Sequence, residues 1–150
     1  MTAHQLTTQE KDPLQNFPSY LKERIIEKIQ TNKLTICVGP TGCGKSTLVP
    51  QVLLDSFGPP ILCTQPRRLA VFAVATHVAK QRNVVLGEEV GYHVGQDRVA
   101  DFNGKETGLT FATAGILLEE LRVHGLDAVD KYKVELSMSA MRDPLKVIYA

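Results

Sequence analysis

The chain reads as an α/β protein with a mostly parallel sheet covered by helices on both faces. Three observations predict this. Short apolar runs at 34–38, 61–64 and 109–113 alternate with stretches of helical periodicity. Between the first run and the helix after it lies Gly39-Pro40-Thr41-Gly42-Cys43-Gly44-Lys45-Ser46, which fits the phosphate-binding pattern G-x-x-x-x-G-K-[ST] at every fixed position. The 150 residues, 43% hydrophobic and 22% charged, suffice for one domain with a sizeable core.

The elements follow in order. Residues 1–16 are polar and without periodicity, and read as a loose leader. Pro18-Ser19 opens a helix, with Ser19 as its N-cap, and Leu21, Ile25, Ile26 and Ile29 recur on one face. Asn32 ends it before a buried strand at 34–38. A second helix is expected over 46–55, with Leu48, Val49, Val52 and Leu53 inward and Pro50 tolerated near its start. Phe57-Gly58-Pro59-Pro60 stops it, and 61–64 reads as a second buried strand. The helix expected over 67–82 is apolar on most sides and should be largely buried. Further strands are expected at 89–94, 109–113, 131–136 and 145–149. A helix over 114–123 carries Leu117, Leu118 and Leu121 and is stopped by Gly125.

Composition excludes several classes. The net charge of +1 gives no global field for nucleic acid, so such binding must use local basic groups. The polar N-terminus carries no secretory signal, and the best apolar run, 69–79, is too short to span a membrane. Three cysteines, at 37, 43 and 63, match no metal spacing and imply free thiols in a reducing, intracellular setting. Cys43 beside a helix start is either a reactive thiol or a tolerated loop residue.

The loop chemistry follows from residue types. Glycines at 39, 42 and 44 let the backbone take positive φ and approach phosphate oxygens without a Cβ in the way. Successive amides form an anion nest, and the next helix adds the positive end of its dipole. Lys45 is positioned to meet the terminal phosphates, and the Ser46 hydroxyl to ligate Mg²⁺.

A second constellation, Thr64-Gln65-Pro66-Arg67-Arg68, stands where a strand hands over to a helix, the edge at which ligands bind in this architecture. Adjacent arginines are unfavourable at a helix N-terminus. Either they meet a phosphate backbone, which suits the guanidinium fork, or they form a solvated basic helix start. Thr113-Ala114-Gly115 repeats the design, with a strand ending in Thr and a Gly that lets a backbone approach.

Together these pieces resemble the N-terminal RecA-like domain of the DEAH-box RNA helicases. The matching stretches are the helix at 19–31, the loop running on into Thr47-Leu48-Val49-Pro50-Gln51, Thr64-Gln65-Pro66-Arg67-Arg68-Leu69-Ala70, Val90-Gly91-Tyr92, and Thr113-Ala114-Gly115-Ile116-Leu117-Leu118. They cover residues 17–134. Tyr92-His93-Val94-Gly95 and Lys131-Tyr132-Lys133-Val134 lean toward the DExH branch that carries accessory zinc-finger or similar domains. The resemblance implies a three-layer P-loop NTPase domain in which Gly39, Pro40, Thr41, Gly42, Cys43, Gly44, Lys45, Ser46 and Thr47 hold ATP and Mg²⁺. It implies that Thr64, Arg67, Arg68 and Thr113 grip an RNA backbone, with little base reading.

The family pattern breaks after Val134. Where the resemblance calls for Asp-Glu-x-His, the chain reads Glu135-Leu136-Ser137-Met138, and no Asp-Glu pair follows. That box supplies a Mg²⁺ ligand and the group that polarises the attacking water. An isolated Glu135 reads as a surface residue, and 135–150 as a divergent or deleted tail that leaves the domain incomplete at its C-terminus. The sheet is then expected to be weakened unless 145–149 fills the place of the lost strand. Three functions remain open: an ATP- and RNA-binding portion of a helicase with impaired hydrolysis, a non-catalytic RNA-binding or regulatory protein with a relic loop, and a free-standing P-loop kinase or ATPase.

Overall fold

A computed structural model describes residues 15, 17–99, 107–138 and 145–149. The leader expected over 1–16 lies, apart from Gln15, outside the described residues. So does the stretch 100–106.

The expected alternation is present. Helix α1 (Ser19–Thr31) leads to β1 (Leu34–Val38), then α2 (Leu48–Phe57), β2 (Ile61–Gln65) and α3 (Arg68–Gln81). Next come β3 (Val90–Val94), β4 (Asp97–Val99), β5 (Leu109–Thr113), α4 (Ala114–His124), the short α5 (Asp127–Asp130), β6 (Val134–Met138) and β7 (Leu145–Tyr149). The strands form one sheet in the order β1-β7-β6-β2-β5-β3-β4. β2 pairs in parallel with β5 and β6, and β3 with β5. β7 is antiparallel to both β1 and β6, so those two share a direction. Five strands therefore run one way; β7, and β4 on β3, run the other. β7 occupies the place that an unfilled sheet would have left beside β6.

Alternation along the strands separates two faces. Ile61, Cys63, Leu109, Phe111, Val134, Leu136, Val90 and Val94 join Val49 and Leu53 of α2 and Val71, Ala75 and Val78 of α3 in the main core. Phe72 meets Tyr92 edge-on at 4.5 Å between ring centres. On the other face Leu62, Thr64, Thr110, Ala112 and Glu135 are buried, and α4 packs against β2 and β5. Three layers result, as the sequence predicts. No helix among the described residues is long and apolar enough to cross a membrane.

Several local expectations need correction. β1 is a strand but not a buried one: it is the edge of the sheet, and Leu34, Ile36 and Val38 are 48%, 52% and 67% exposed. Helix α2 starts two residues later than expected, because Gly44 takes φ +87, outside the helical range, and 44–47 form turns. The N-cap position of α1 is Pro18, without a side-chain cap bond, and Ser19 is the first helical residue. In α3 only Val71, Ala75, Val78 and Ala79 are buried, while Leu69 is 82% exposed. A sheet covers one side of that helix only. No residue of α4 is fully buried.

Candidate functional site

The loop 39–47 leaves the C-terminal end of β1 and enters α2. Gly42 and Gly44 have φ +82 and +87. A Cβ on Gly44 would come within 2.6 Å of Leu48 Cδ1, and one on Gly39 within 3.0 Å of Cys43 Sγ. The amides of Thr47, Leu48 and Val49 converge on the Gly44 carbonyl, which seats the helix start directly under the loop.

Lys45 is only 6% exposed. Its ammonium donates to the carbonyls of Gly39 and Pro40 and lies 3.4 Å from Cys43 Sγ. The cation is thus held over the concavity by its own loop, and must release those carbonyls to meet a polyanion. Ser46 and Thr47 are half-buried at the loop's end; Pro40, Thr41, Gly42 and Cys43 are exposed. A cavity of about 960 Å³ adjoins the loop, lined by Gly39, Cys43 and Lys45 and by Phe17, Ile25 and Ile36. None of the cysteines is in a disulfide.

The second constellation sits on the same sheet edge. Gln65 and Thr113 are register partners, so the ends of β2 and β5 lie side by side, about 4.8 Å apart. Arg67 and Arg68 are exposed at the start of α3, and Thr113 is half-buried at the start of α4. A Cβ on Gly115 would meet nothing within 4 Å, so the approach to α4 is open. Thr64 differs: it is 2% exposed, on the sheet face that α4 covers. Two strands, β7 and β6, stand between β1 and β2, and this separates the loop from the arginines.

Glu135 is not a surface residue. It is 7% exposed on β6, between β7 and β2, and burial pushes its carboxyl up from the ordinary range. It pairs in register with Leu62, near the N-terminal end of both strands, rather than standing at the C-terminal edge where the loop lies. Among the described residues no three His, Cys, Asp or Glu cluster to hold a metal. The Ser46 hydroxyl suits Mg²⁺ only as one ligand beside phosphate oxygens and waters. A hydroxyl of this kind fits a metal whose other ligands are brought by phosphate and water.

Two buried amides stand out beyond the expected residues. Gln51, 1% exposed on α2, donates to the Thr47 carbonyl at 2.8 Å and to Gln81 Oε1 at 2.9 Å. Gln65 is 6% exposed, and its Nε2 has no hydrogen-bond partner. Leaving such a donor unpaired costs about 1–3 kcal/mol. In the sequence Gln51 is marked by its place in the stretch 47–51 that matches the resembled family and by being a glutamine within a run of apolar helical residues.

No protein-family model matches the chain. Individual relatives do. The chain is 51% identical over 114 residues to the rice "Zinc finger CCCH domain-containing protein 4", covering 76% of this chain and 11% of that protein. It is 52% identical over 126 residues to the Arabidopsis thaliana "DExH-box ATP-dependent RNA helicase DExH8", covering 81% and 12%. With DExH3 of the same plant, also named a DExH-box ATP-dependent RNA helicase, the identity is 39% over 114 residues, covering 71% and 9%. The chain thus spans about a tenth of the length of these relatives.

Proposed function

The chain belongs to the DEAH/DExH-box helicase family, and on that premise we propose that residues 17–134 bind ATP and the backbone of RNA without efficient hydrolysis. The observation that carries the reading is the loop 39–47: positive-φ glycines, a buried lysine and a helix start, all converging at the end of β1. Such a loop wraps a triphosphate tail with backbone amides while the lysine neutralises part of its charge. Gly39, Pro40, Thr41, Gly42, Cys43 and Gly44 form the cradle. Lys45 moves from the Gly39 and Pro40 carbonyls to the terminal phosphates. Ser46 and Thr47 close the loop, with Ser46 holding Mg²⁺ when it enters with the nucleotide.

Arg67 and Arg68 meet RNA phosphates, with Thr113 and the open backbone at Gly115 beside them. Two exposed guanidinium groups next to a second open helix start favour this over an unpartnered basic face. Thr64, being buried, supports the strand end from which the arginines project. The names of the DExH8 and DExH3 relatives, which carry ATP dependence and RNA, support both ligands for this chain.

Hydrolysis needs a base to align water and a carboxylate near the metal. β6 presents neither at its C-terminal edge: Glu135 is buried near the strand's N-terminal end, with its proton held more tightly than usual. The reaction carried out by whole proteins of this family is therefore assigned here only to its binding steps.

Two measurements test the reading. In calorimetry with Mg-ATP the parent chain is expected to saturate, and Lys45→Ala to lose at least about tenfold in affinity. Equal binding by Lys45→Ala would remove the loop assignment. For RNA, Arg67→Ala combined with Arg68→Ala is expected to lower affinity and to reduce the salt slope by about 1–2. An unchanged slope would return the arginines to the solvated reading.

A further inference from the structure

The buried amide of Gln51 links elements that the binding reading treats separately. Its Nε2 holds the carbonyl of Thr47, the last residue of the phosphate loop, and also Gln81 Oε1, the last residue of α3. The other end of α3 begins at Arg68, with Arg67 just before it. Fourteen residues of helix span about 20 Å. One rigid element therefore has the loop tied to its C-terminus and the arginines carried on its N-terminus.

The neighbouring contacts make this tie stiff. One turn along α2, Asp55 takes a 2.9 Å ion pair from Arg82, the residue after Gln81. Arg82 also grips both carboxylate oxygens of Glu89 just before β3. Gln51 is fully enclosed, and close-packed interiors leave no slack for its amide to follow Thr47 alone. The structure shows Lys45 bonded to the Gly39 and Pro40 carbonyls; on the proposed binding it turns from them to the phosphates. Any shift of the loop end that accompanies that turn would meet Gln51 first, because its amide holds the Thr47 carbonyl, whereas the bonds of Asp55 and Arg82 run to each other and to Glu89.

We infer that Gln51 is a positioning residue that couples nucleotide occupancy of the loop 39–47 to the presentation of Arg67 and Arg68, acting through Gln81 and α3. The inference rests on the proposed binding of both ligands and adds the route between them. Coupling of this kind is reciprocal: whatever factor RNA applies to nucleotide affinity, nucleotide applies to RNA affinity.

The test titrates the 150-residue chain with Mg-ATP, alone and with saturating single-stranded oligouridine, and repeats the RNA titration with and without nucleotide. In the parent the two affinities are expected to shift each other by at least about fivefold. In Gln81→Ala, which leaves the loop and the arginines untouched, each ligand alone should bind within about twofold of the parent, while the mutual factor falls to about one. In Gln51→Leu the factor should also fall to about one, with weaker nucleotide binding because the Thr47 carbonyl loses its donor. A mutual factor retained in Gln81→Ala overturns the inference. So does a parent that binds both ligands and shows no mutual factor. A parent that fails to bind nucleotide or RNA overturns the binding reading, and the coupling with it, and that result is read from the parent alone.

Discussion

Glu135 marks the point where a single residue departs from both its motif and its surroundings. The sequence alone assigns it to the surface, because a lone acid near a strand end is normally solvated. β7 and β2 enclose it instead, and burial raises its carboxyl pKa. The folded state then binds the proton more tightly than the unfolded chain does. That stability is full below the ordinary carboxylate pKa of about 4.3 and is lost as pH rises through the raised value. Glu135→Gln is therefore expected to melt several degrees higher than the parent at pH 7–8, and the gap should close toward pH 4. Melting curves across that range decide it; equal melting temperatures at pH 8 would mean the carboxyl is solvated. Lys45 makes the opposite case. Its place at the strand–helix junction was legible from spacing, because Gly-Lys-Ser follows an apolar run and precedes helical periodicity. That its ammonium bonds its own loop carbonyls depends on loop geometry that no pattern specifies.

Among the elements, α2 and α3 are joined side chain to side chain, Gln51 to Gln81 and Asp55 to the Arg82 that follows α3. Both were visible from apolar periodicity, with boundaries shifted where local chemistry intervened. Gly44 delays α2, and Gly58 ends it with φ +72 and an amide bonded to the Leu54 carbonyl. Their mutual attachment was not visible. Asp55, Arg82 and Glu89 are ordinary surface types, spread over three segments that only the sheet brings together. Burial of the Arg82 side chain to 16% exposure and its two-oxygen grip on Glu89 set this trio apart from isolated surface pairs. Arg82→Ala is expected to cost about 1–2 kcal/mol, read as a lower denaturation midpoint with an unchanged slope. A change below about 0.3 kcal/mol would place the trio with solvated pairs. The short β4 and α5 escaped detection because three or four residues carry too little periodicity to register.

Across the whole molecule, the sheet depends on its last strand. β7 is hydrogen-bonded to β1 on one side and to β6 on the other, and so connects the strand that leads into the loop 39–47 to the rest. A chain ending at residue 144 would leave ladder groups on both neighbours without partners. It is expected to lose cooperative unfolding and to weaken nucleotide binding by more than tenfold or about 1.4 kcal/mol. Circular dichroism melting and calorimetry of that truncated form measure both effects. A cooperative melt with parental affinity would mean that β1 is held by α1 and α2 alone.

From its residues alone the chain determined the α/β class, the glycine-rich loop between β1 and α2, the basic strand–helix junction and the family they resemble. Each is written in local spacing: period two, period three to four, or fixed glycine positions. Only tertiary structure decided that β1 is an edge, that β7 runs against its neighbours, that Thr64 and Glu135 are enclosed, and that Gln51 joins the loop to α3. Those outcomes depend on which segments meet across the sheet. The free energy of such meetings comes from surfaces removed from water together, a quantity no single stretch of sequence contains.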